Sequence, residues 1–297
     1  MKQAYANDNL SARRLALIES ANKILDSFQA KGFTLTIRQL YYQMVSGNLI
    51  PNNLRSYKRI VSAMTAARMN GLTHWDAIED RLRVPRLPYW AINAPAAILD
   101  LARQYRVDRQ EGQPRYIEIW AEKDAVSSIL GKVATKYHIR LMINRGYSSC
   151  SAMREAAERL KLESDPMILY LGDHDPSGLD MVRDIEDRLL DFGLRRFHIN
   201  PVALTMEQID ELNLPPNPAK ITDSRAAAYI QEFGRESWEL DALPPEFIIK
   251  AVENEVFFNI DESLFNKRLE EEKEDREDMR ALARNFDYCL ELARNRE

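Results

Sequence analysis

"MILYLGDHDPSGLDMV", residues 167–182, sets an apolar run against two aspartates one residue apart, with a helix-like stretch directly behind them. The run 167–172 has the length and apolar continuity of a buried strand, and the spacing predicts a helix over 178–191, with Pro176 suited to a first helical position. Asp173 and Asp175 repel each other, so the pattern calls for something positive beside them. Alternatively, Asp175 caps the helix by accepting its free N–H groups.

Working outward, the same alternation recurs. Strands are predicted over 116–121, 139–144 and 196–200, with helices over 124–136 and 150–162, and the stretch 201–220 reads as loop. Strands and helices at this pitch make an α/β domain with a parallel sheet covered by helices on both faces. In such sheets ligands gather outside the carboxyl ends of the strands. Glu122 follows the first strand directly, 51 residues before Asp173. Three carboxylates, Glu122, Asp173 and Asp175, thus point to one rim. An oxygen-only set of this kind suits Mg²⁺, which neutralises the acids; without a cation they raise one another's pKa. His174 lies between the aspartates and by alternation points away from them, or else touches phosphate.

The N-terminal part is helical. Over 10–30, Leu15, Ile18, Ala21, Leu25 and Phe28 share one stripe, and Gly32 ends the helix. In "TIRQLYYQMVSGN" Thr36 and Gln39 have capping-box spacing, and Gly47 closes the helix. Ile37, Leu40, Tyr41 and Met44 form its buried stripe, which leaves Tyr42, about 100° round from Tyr41, exposed above Arg38. A third helix over 52–70 buries Leu54, Tyr57, Val61 and Met64 and turns Arg55, Lys58, Arg59 and Ser62 outward. Three short helices of this kind suggest a helix-turn-helix or winged-helix unit, or a small helical bundle. Pro85, Pro88 and Pro95 punctuate a connection, a helix covers 94–106, and the polar stretch "DRQEGQPR" (108–115) reads as a domain boundary. The expected division is 1–95, 110–260 and a charged helical tail over 261–297. In the tail Leu282, Phe286, Leu290 and Ala293 form a stripe that packs on the parent domain or serves as a seam for a protein partner.

Composition narrows the function classes. The chain has 297 residues, 45% of them hydrophobic, without an apolar run of eighteen residues, so a membrane span is not expected. The start "MKQAYANDNL" lacks the apolar core of a secretory signal. Cys150 and Cys289 have no metal or disulfide spacing, which suits a reducing cytoplasm, and four scattered histidines argue against zinc. The net charge is −5, yet residues 31–90 hold nine basic groups (Lys31, Arg38, Arg55, Lys58, Arg59, Arg68, Arg81, Arg83, Arg86) against three acidic ones (Asp76, Glu79, Asp80). That segment is therefore +6 and the remainder −11. A basic segment in an acidic chain fits phosphate binding or a solvated basic face.

"EIWAEKDAVSSIL", "NRGYSSCSAMREAAERL" and "ILYLGDHDPSGLDMV", in that order, resemble a Toprim domain, the metal-binding fold of topoisomerases, primases and some nucleases. The order is most similar to the A subunit of topoisomerase VI and the related meiotic double-strand-break enzyme. "GRESWELDALPPEFI" (234–248) resembles a late segment of that family, and "TIRQLYY" matches its Arg-x-x-Tyr-Tyr signature on a winged helix. The resemblance implies magnesium at Glu122, Asp173 and Asp175, with Glu122 also an acid or base. It implies Tyr42 as the nucleophile beside Arg38, a 5′-phosphotyrosyl link to double-stranded DNA, and a homodimer in which the tyrosine of one protomer meets the metal of the other. "YKRIVSAMTAARMNGLTHWDAIEDRLR" departs from the family after the tyrosine, and no Gly-x-x-x-x-Gly-Lys-Ser/Thr motif is present, so strand passage needs a separate ATPase subunit. The chain is short for such a subunit, as a diverged phage or mobile-element relative would be.

Three functions follow as expectations: DNA cleavage through Tyr42 with Arg38 and Glu122; metal-dependent DNA hydrolysis without the tyrosine, which then only contacts phosphate; and DNA binding without chemistry. In each, Arg55, Lys58, Arg59 and Arg68 meet DNA phosphates, and the expected location is cytoplasmic, at the nucleoid.

Overall fold

The structure, a computed structural model, describes residues 1–79, 87–218 and 225–295. Asp80, Arg81, Arg83, Pro85 and Arg86 of the basic segment lie outside the described residues. The chain is a helix-rich α/β protein. Three helices open it: α1 (Ala12–Ala30), α2 (Ile37–Ser46) and α3 (Leu54–Met69). After α4 (Ala94–Gln104), strands and helices alternate as β1 (Tyr116–Ala121), α5 (Ser127–Tyr137), β2 (Arg140–Ile143), α6 (Cys150–Leu160), β3 (Pro166–Leu171), α7 (Pro176–Asp191) and β4 (His198–Ala203). Then come α8 (Met206–Leu212), the short antiparallel pair β5 (Asn217–Pro218) and β6 (Glu236–Ser237) around α9 (Ala226–Phe233), and α10 (Pro245–Asn259), α11 (Glu262–Arg284) and α12 (Phe286–Arg294). The stretch expected to be loop over 201–220 therefore contains the end of β4 and a helix, α8, which is held by its own Thr205–Gln208 capping box.

The four main strands are parallel in the order β2-β1-β3-β4. The chain leaves β1 for one neighbour and returns to β3 on the other side. The gap between the carboxyl ends of β1 and β3 is therefore the switch point, where such sheets bind ligands. Alternation divides the sheet into two cores. Ile117, Ile119 and Ala121 of β1 and Leu169 and Leu171 of β3 join a core with α5, α10 and the N-terminal helices. Trp120 and Tyr170 face α6 and α7 on the other side. Both faces are covered, so β3 reads as an apolar run and β1 departs from one only at Glu118, which is buried and paired with Arg159.

The N-terminal helices start where sequence chemistry tells them to. The Ser11 hydroxyl accepts the Arg14 N–H, the Thr36–Gln39 box closes on both sides, and the Asn53 side chain accepts the Ser56 N–H. On α3 the buried stripe is Ser56, Ile60, Ala63, Met64 and Ala67, while Leu54 and Val61 are exposed. This helix carries two stripes at helical spacing, and the one rich in alanine lets its neighbours approach more closely. Arg55, Lys58 and Arg59 stay exposed. Two isolated bridges, Ala4 with Asn70 and Leu35 with Ile78, are the β-pairing of this region, and no wing hairpin occurs among the described residues.

The stretch 108–115 is clamped rather than loose. The Gln110 side chain pairs with both backbone groups of Ile117, at 2.7 and 3.0 Å, and Gln113 does the same for Asp261. Arg109 grips Glu272 of α11 through two bonds of 2.8 and 3.0 Å. Arg106 and Arg276 add contacts to the same carboxylate at 3.6 Å. Burial works against the Glu272 anion, but the Arg109 and Arg106 charges outweigh it and hold the carboxyl below its usual range. The tail breaks at Asn285, which puts Leu282 and Phe286 on different helices; Leu282 and Ala293 are exposed, and Phe286 and Leu290 are half-buried. Among the described residues no helix is long and apolar enough to cross a membrane. Glu272→Ala leaves Arg109 buried without its counter-charge, and a loss of about 3–5 kcal/mol is expected in urea unfolding.

Candidate active site

Asp173 and Asp175 follow β3 as the sequence implies, but they part at once. Asp175 Oδ1 accepts the N–H groups of Ser177 and Gly178 at 2.9 and 2.7 Å, and the Ser177 hydroxyl at 2.7 Å, so this residue caps α7. Gly178 is required there: a Cβ would lie 2.2 Å from the Asp173 backbone oxygen, which a strand end cannot yield. Asp173 turns the other way. Its Oδ1 accepts the Leu240 N–H at 2.8 Å, and its Oδ2 lies 2.6 Å from Lys123 Nζ. The positive charge that the aspartates call for is the ammonium of Lys123, two residues beyond the end of β1. Glu122 is half-buried and accepts the Asp173 N–H at 3.0 Å. His174 points away, as alternation predicts; it is buried among Tyr229, Phe233 and Trp238, with Nδ1 2.9 Å from the Tyr229 hydroxyl.

The ammonium continues the chain of charges. Lys123 Nζ is also 2.6 Å from Glu239, on the strap that leads from β6 to α10. Arg38 of α2 reaches Glu239 at 3.1 Å and Asp241 at 3.7 Å. The Tyr42 hydroxyl accepts the Asn217 amide at 3.3 Å and shares one cavity with Arg38 and Glu239. One run of contacts joins Arg38, Glu239, Lys123, Asp173 and Glu122, and Tyr42 stands beside its Arg38–Glu239 end. A cavity of about 290 Å³ opens beside the tyrosine, lined by Arg38, Tyr41, Asn52, Tyr57 and Glu239 among others.

Tyr42 differs from the expectation in being buried, only 4% exposed, like Tyr41 at 5%. The reason is that α2 is covered twice, by α1 and α3 on one side and by the 240–242 turn on the other. Tyr41 donates to Asn52 at 2.7 Å and stacks edge-on against Tyr42 and Tyr57. Asn52 in turn bonds to Asn217, which orients the Tyr42 hydroxyl. Burial, and then the Glu239 charge, push the Tyr42 phenol up to about 12; Asn217, Arg38 and Lys123 oppose this and lose. Arg38 therefore does not create a resting phenolate. Burial works against Lys123, but Asp173, Asp241 and Glu239 hold it charged. Burial also raises the Asp173 carboxyl, with Glu122 adding to the rise and Lys123 and the Leu240 N–H opposing it. Glu239 is held below its usual range because Lys123 and Arg38 overcome its burial.

As a magnesium set, the strand-end acids fit in part. Among the described residues no group of three His, Cys, Asp or Glu side chains is arranged to hold a metal ion, because Asp175 is turned into the helix cap. Glu122 and Asp173 remain adjacent, and two carboxylates suffice for an ion completed by water and substrate phosphate. Of the residues expected to meet DNA, Arg55, Lys58 and Arg59 are exposed, whereas Arg68 lies 4.6 Å over the Trp75 ring and donates to the Trp75 carbonyl. Lys123, Glu239 and Asn217 were missed as site residues; Lys123 and Glu239 sat inside motifs read for other positions. Comparison of the chain with models of known protein families and with curated proteins finds no match.

Lys123→Met leaves the buried Asp173 carboxylate without its counter-charge and Glu239 with Arg38 alone. A loss of about 3–5 kcal/mol in denaturant unfolding is expected, larger than for Arg55→Met at the surface. The raised phenol of Tyr42 sets a second expectation. Its burial stabilises the fold below pH 10, and this contribution fades as pH rises from the unfolded value of 10.0 to about 12. The stability difference between the native protein and Tyr42→Phe should therefore shift in favour of Phe across that window, as followed by unfolding at each pH.

Proposed function

We propose that the chain cuts the DNA backbone in the manner of a topoisomerase VI A subunit, with Tyr42 as the nucleophile. One observation carries the reading: Tyr42 shares a cavity with Glu239, and Glu239 is joined through Lys123 to the strand-end acid Asp173. Tyr42 Oη attacks phosphorus, its proton passes to Glu239, the bond to the 3′ oxygen breaks, and the 5′ phosphoryl end stays on the tyrosine. Arg38, at the wall of the cavity, binds the phosphate that enters. Glu122 and Asp173 would hold a magnesium ion, which when bound would stabilise negative charge on the phosphate. In this reading a homodimer supplies a second tyrosine for the opposite strand, and a separate ATPase subunit drives strand passage.

A second reading, DNA binding without cleavage, draws on the structural duties of the acids: Asp175 caps α7, and Lys123 neutralises Asp173. The two are separated by incubating the protein with supercoiled DNA and Mg²⁺ and quenching with detergent. Covalent attachment of protein to DNA is expected, abolished by Tyr42→Phe and slowed about 10²–10⁴-fold by Glu239→Gln. Nicking that survives Tyr42→Phe and disappears in Asp173→Ala would instead mark a metal-dependent nuclease. Binding with no cut in any condition would support the second reading.

A further inference from the structure

A second cavity is distinct from the one beside Tyr42. It is a groove of about 800 Å³ between the first half of α1 and α3, and four arginines line it: Arg13 and Arg14 from α1, Arg55 and Arg59 from α3. Ser11, Ser20, Asn53, Ser56 and Ser62 supply further polar groups, and neither an acidic nor an aromatic side chain is among its lining. Arg14 is fixed across the groove by bonds of 2.6 and 2.8 Å to the carbonyl and hydroxyl of Ser62. Arg13, Arg55 and Arg59 are exposed, and none of them has an ion-pair partner among the described residues. Three uncommitted guanidinium groups and a pinned fourth face one concave space. Elsewhere among the described residues more than half of the arginines are paired with carboxylates.

We propose that this groove is the seat of a DNA duplex, gripped by its phosphates through Arg13, Arg55 and Arg59, and that it delivers the backbone to the Tyr42 cavity. The geometry supports a phosphate track. Arg55 and Arg59 are four residues apart on one helix, a rise of about 6 Å, and Arg13 stands on the opposite wall. Guanidinium groups form two-pronged bonds to phosphate oxygens, which suits a row of them. The absence of rings argues against single strands, whose sites stack bases on aromatic side chains. A concave groove with cations on both walls takes a rod of phosphates better than a flat layer of lipid headgroups. The two cavities meet at the start of α3: Asn53 lines both, with Arg55 and Ser56 on the groove side and Leu54 and Tyr57 on the tyrosine side. The route to Tyr42 rests on the proposed cleavage; the binding itself does not.

The test is equilibrium binding of a fluorescent duplex to the full chain in metal-free buffer, where no cut occurs, across a salt series. Each lysine or arginine that meets a phosphate releases counterions and steepens the dependence of log K on log salt by about 1. Arg13→Gln with Arg59→Gln is expected to flatten that slope by about 2 and to weaken binding to all duplex sequences alike. Lys267→Gln on α11 is expected to leave the slope as it is. Melting curves of each variant establish that it is folded. A double variant that is folded and binds with an unchanged slope overturns the groove. So does tighter binding to single strands, or to vesicles containing phosphatidylserine, through the same arginines. The outcome separates from that of cleavage. Arginine-dependent binding without a Tyr42 adduct keeps the groove and ends the cleavage reading. An adduct that forms equally in the double variant does the reverse.

Discussion

The Lys123 ammonium, 2.6 Å from both Asp173 and Glu239, is the contact on which the rest of the site depends. It draws together the end of β1, the end of β3 and the strap before α10, three segments separated by fifty residues or more. Glu239 then hands the connection to Arg38 on α2, so the N-terminal helices are aligned to the sheet through charge as well as through the apolar core they share. A buried ion pair is a poor source of net stability, since removing two ions from water costs about as much as their attraction returns. What it supplies is register. Each partner is tolerable only where the others are, and the Tyr42 hydroxyl is set by the same groups.

Much of the architecture was legible because it obeys local rules. The strands at 116–121 and 167–172 are apolar runs, broken in the first only by the buried Glu118, since both faces of the sheet are covered, and the capping box at Thr36 marks a helix start by hydrogen-bonding chemistry alone. Gly178 has a comparable logic, though its reason is visible only in three dimensions: the helix that Asp175 caps begins against the Asp173 carbonyl. What local rules could not supply was partnership at a distance. Nothing near Lys123 in sequence says that its counter-ions are Asp173 and Glu239. Arg13 and Arg14 lie forty residues from the arginines whose groove they share, outside the stretch whose charge balance looked informative. Tyr42 was misplaced for a related reason. A helical wheel assumes one buried face, and α2 is covered on two. The polar stretch at 108–115 looked like a linker, yet its glutamines stand in for backbone partners and its arginine anchors α11.

The acids behave differently from a bare carboxylate cluster. Of the three at the rim, one caps a helix, one is met by a lysine and one accepts a backbone N–H from its neighbour. Each role is structural in the resting molecule. In the proposed reading Glu122 and Asp173 would share a cation with an incoming phosphate, which competes with Glu239 for Arg38. The resting arrangement is balanced around its own lysine; a substrate that brings negative charge changes that balance.

The same competition bears on the nucleophile in the proposed reading. At rest the Tyr42 phenol is raised to about 12, while Glu239 is held low by Lys123 and Arg38, so the proton stays on oxygen and the tyrosine is inert. A phosphate that takes Arg38 away from Glu239 removes one of the two cations depressing that carboxylate, which makes it a stronger acceptor for the proton of the hydroxyl in the same cavity. The guanidinium meanwhile brings the phosphorus toward Oη. Binding and activation then arise from one displacement, and burial of the phenol becomes a safeguard, since without a backbone in the cavity the group that would cut it remains protonated.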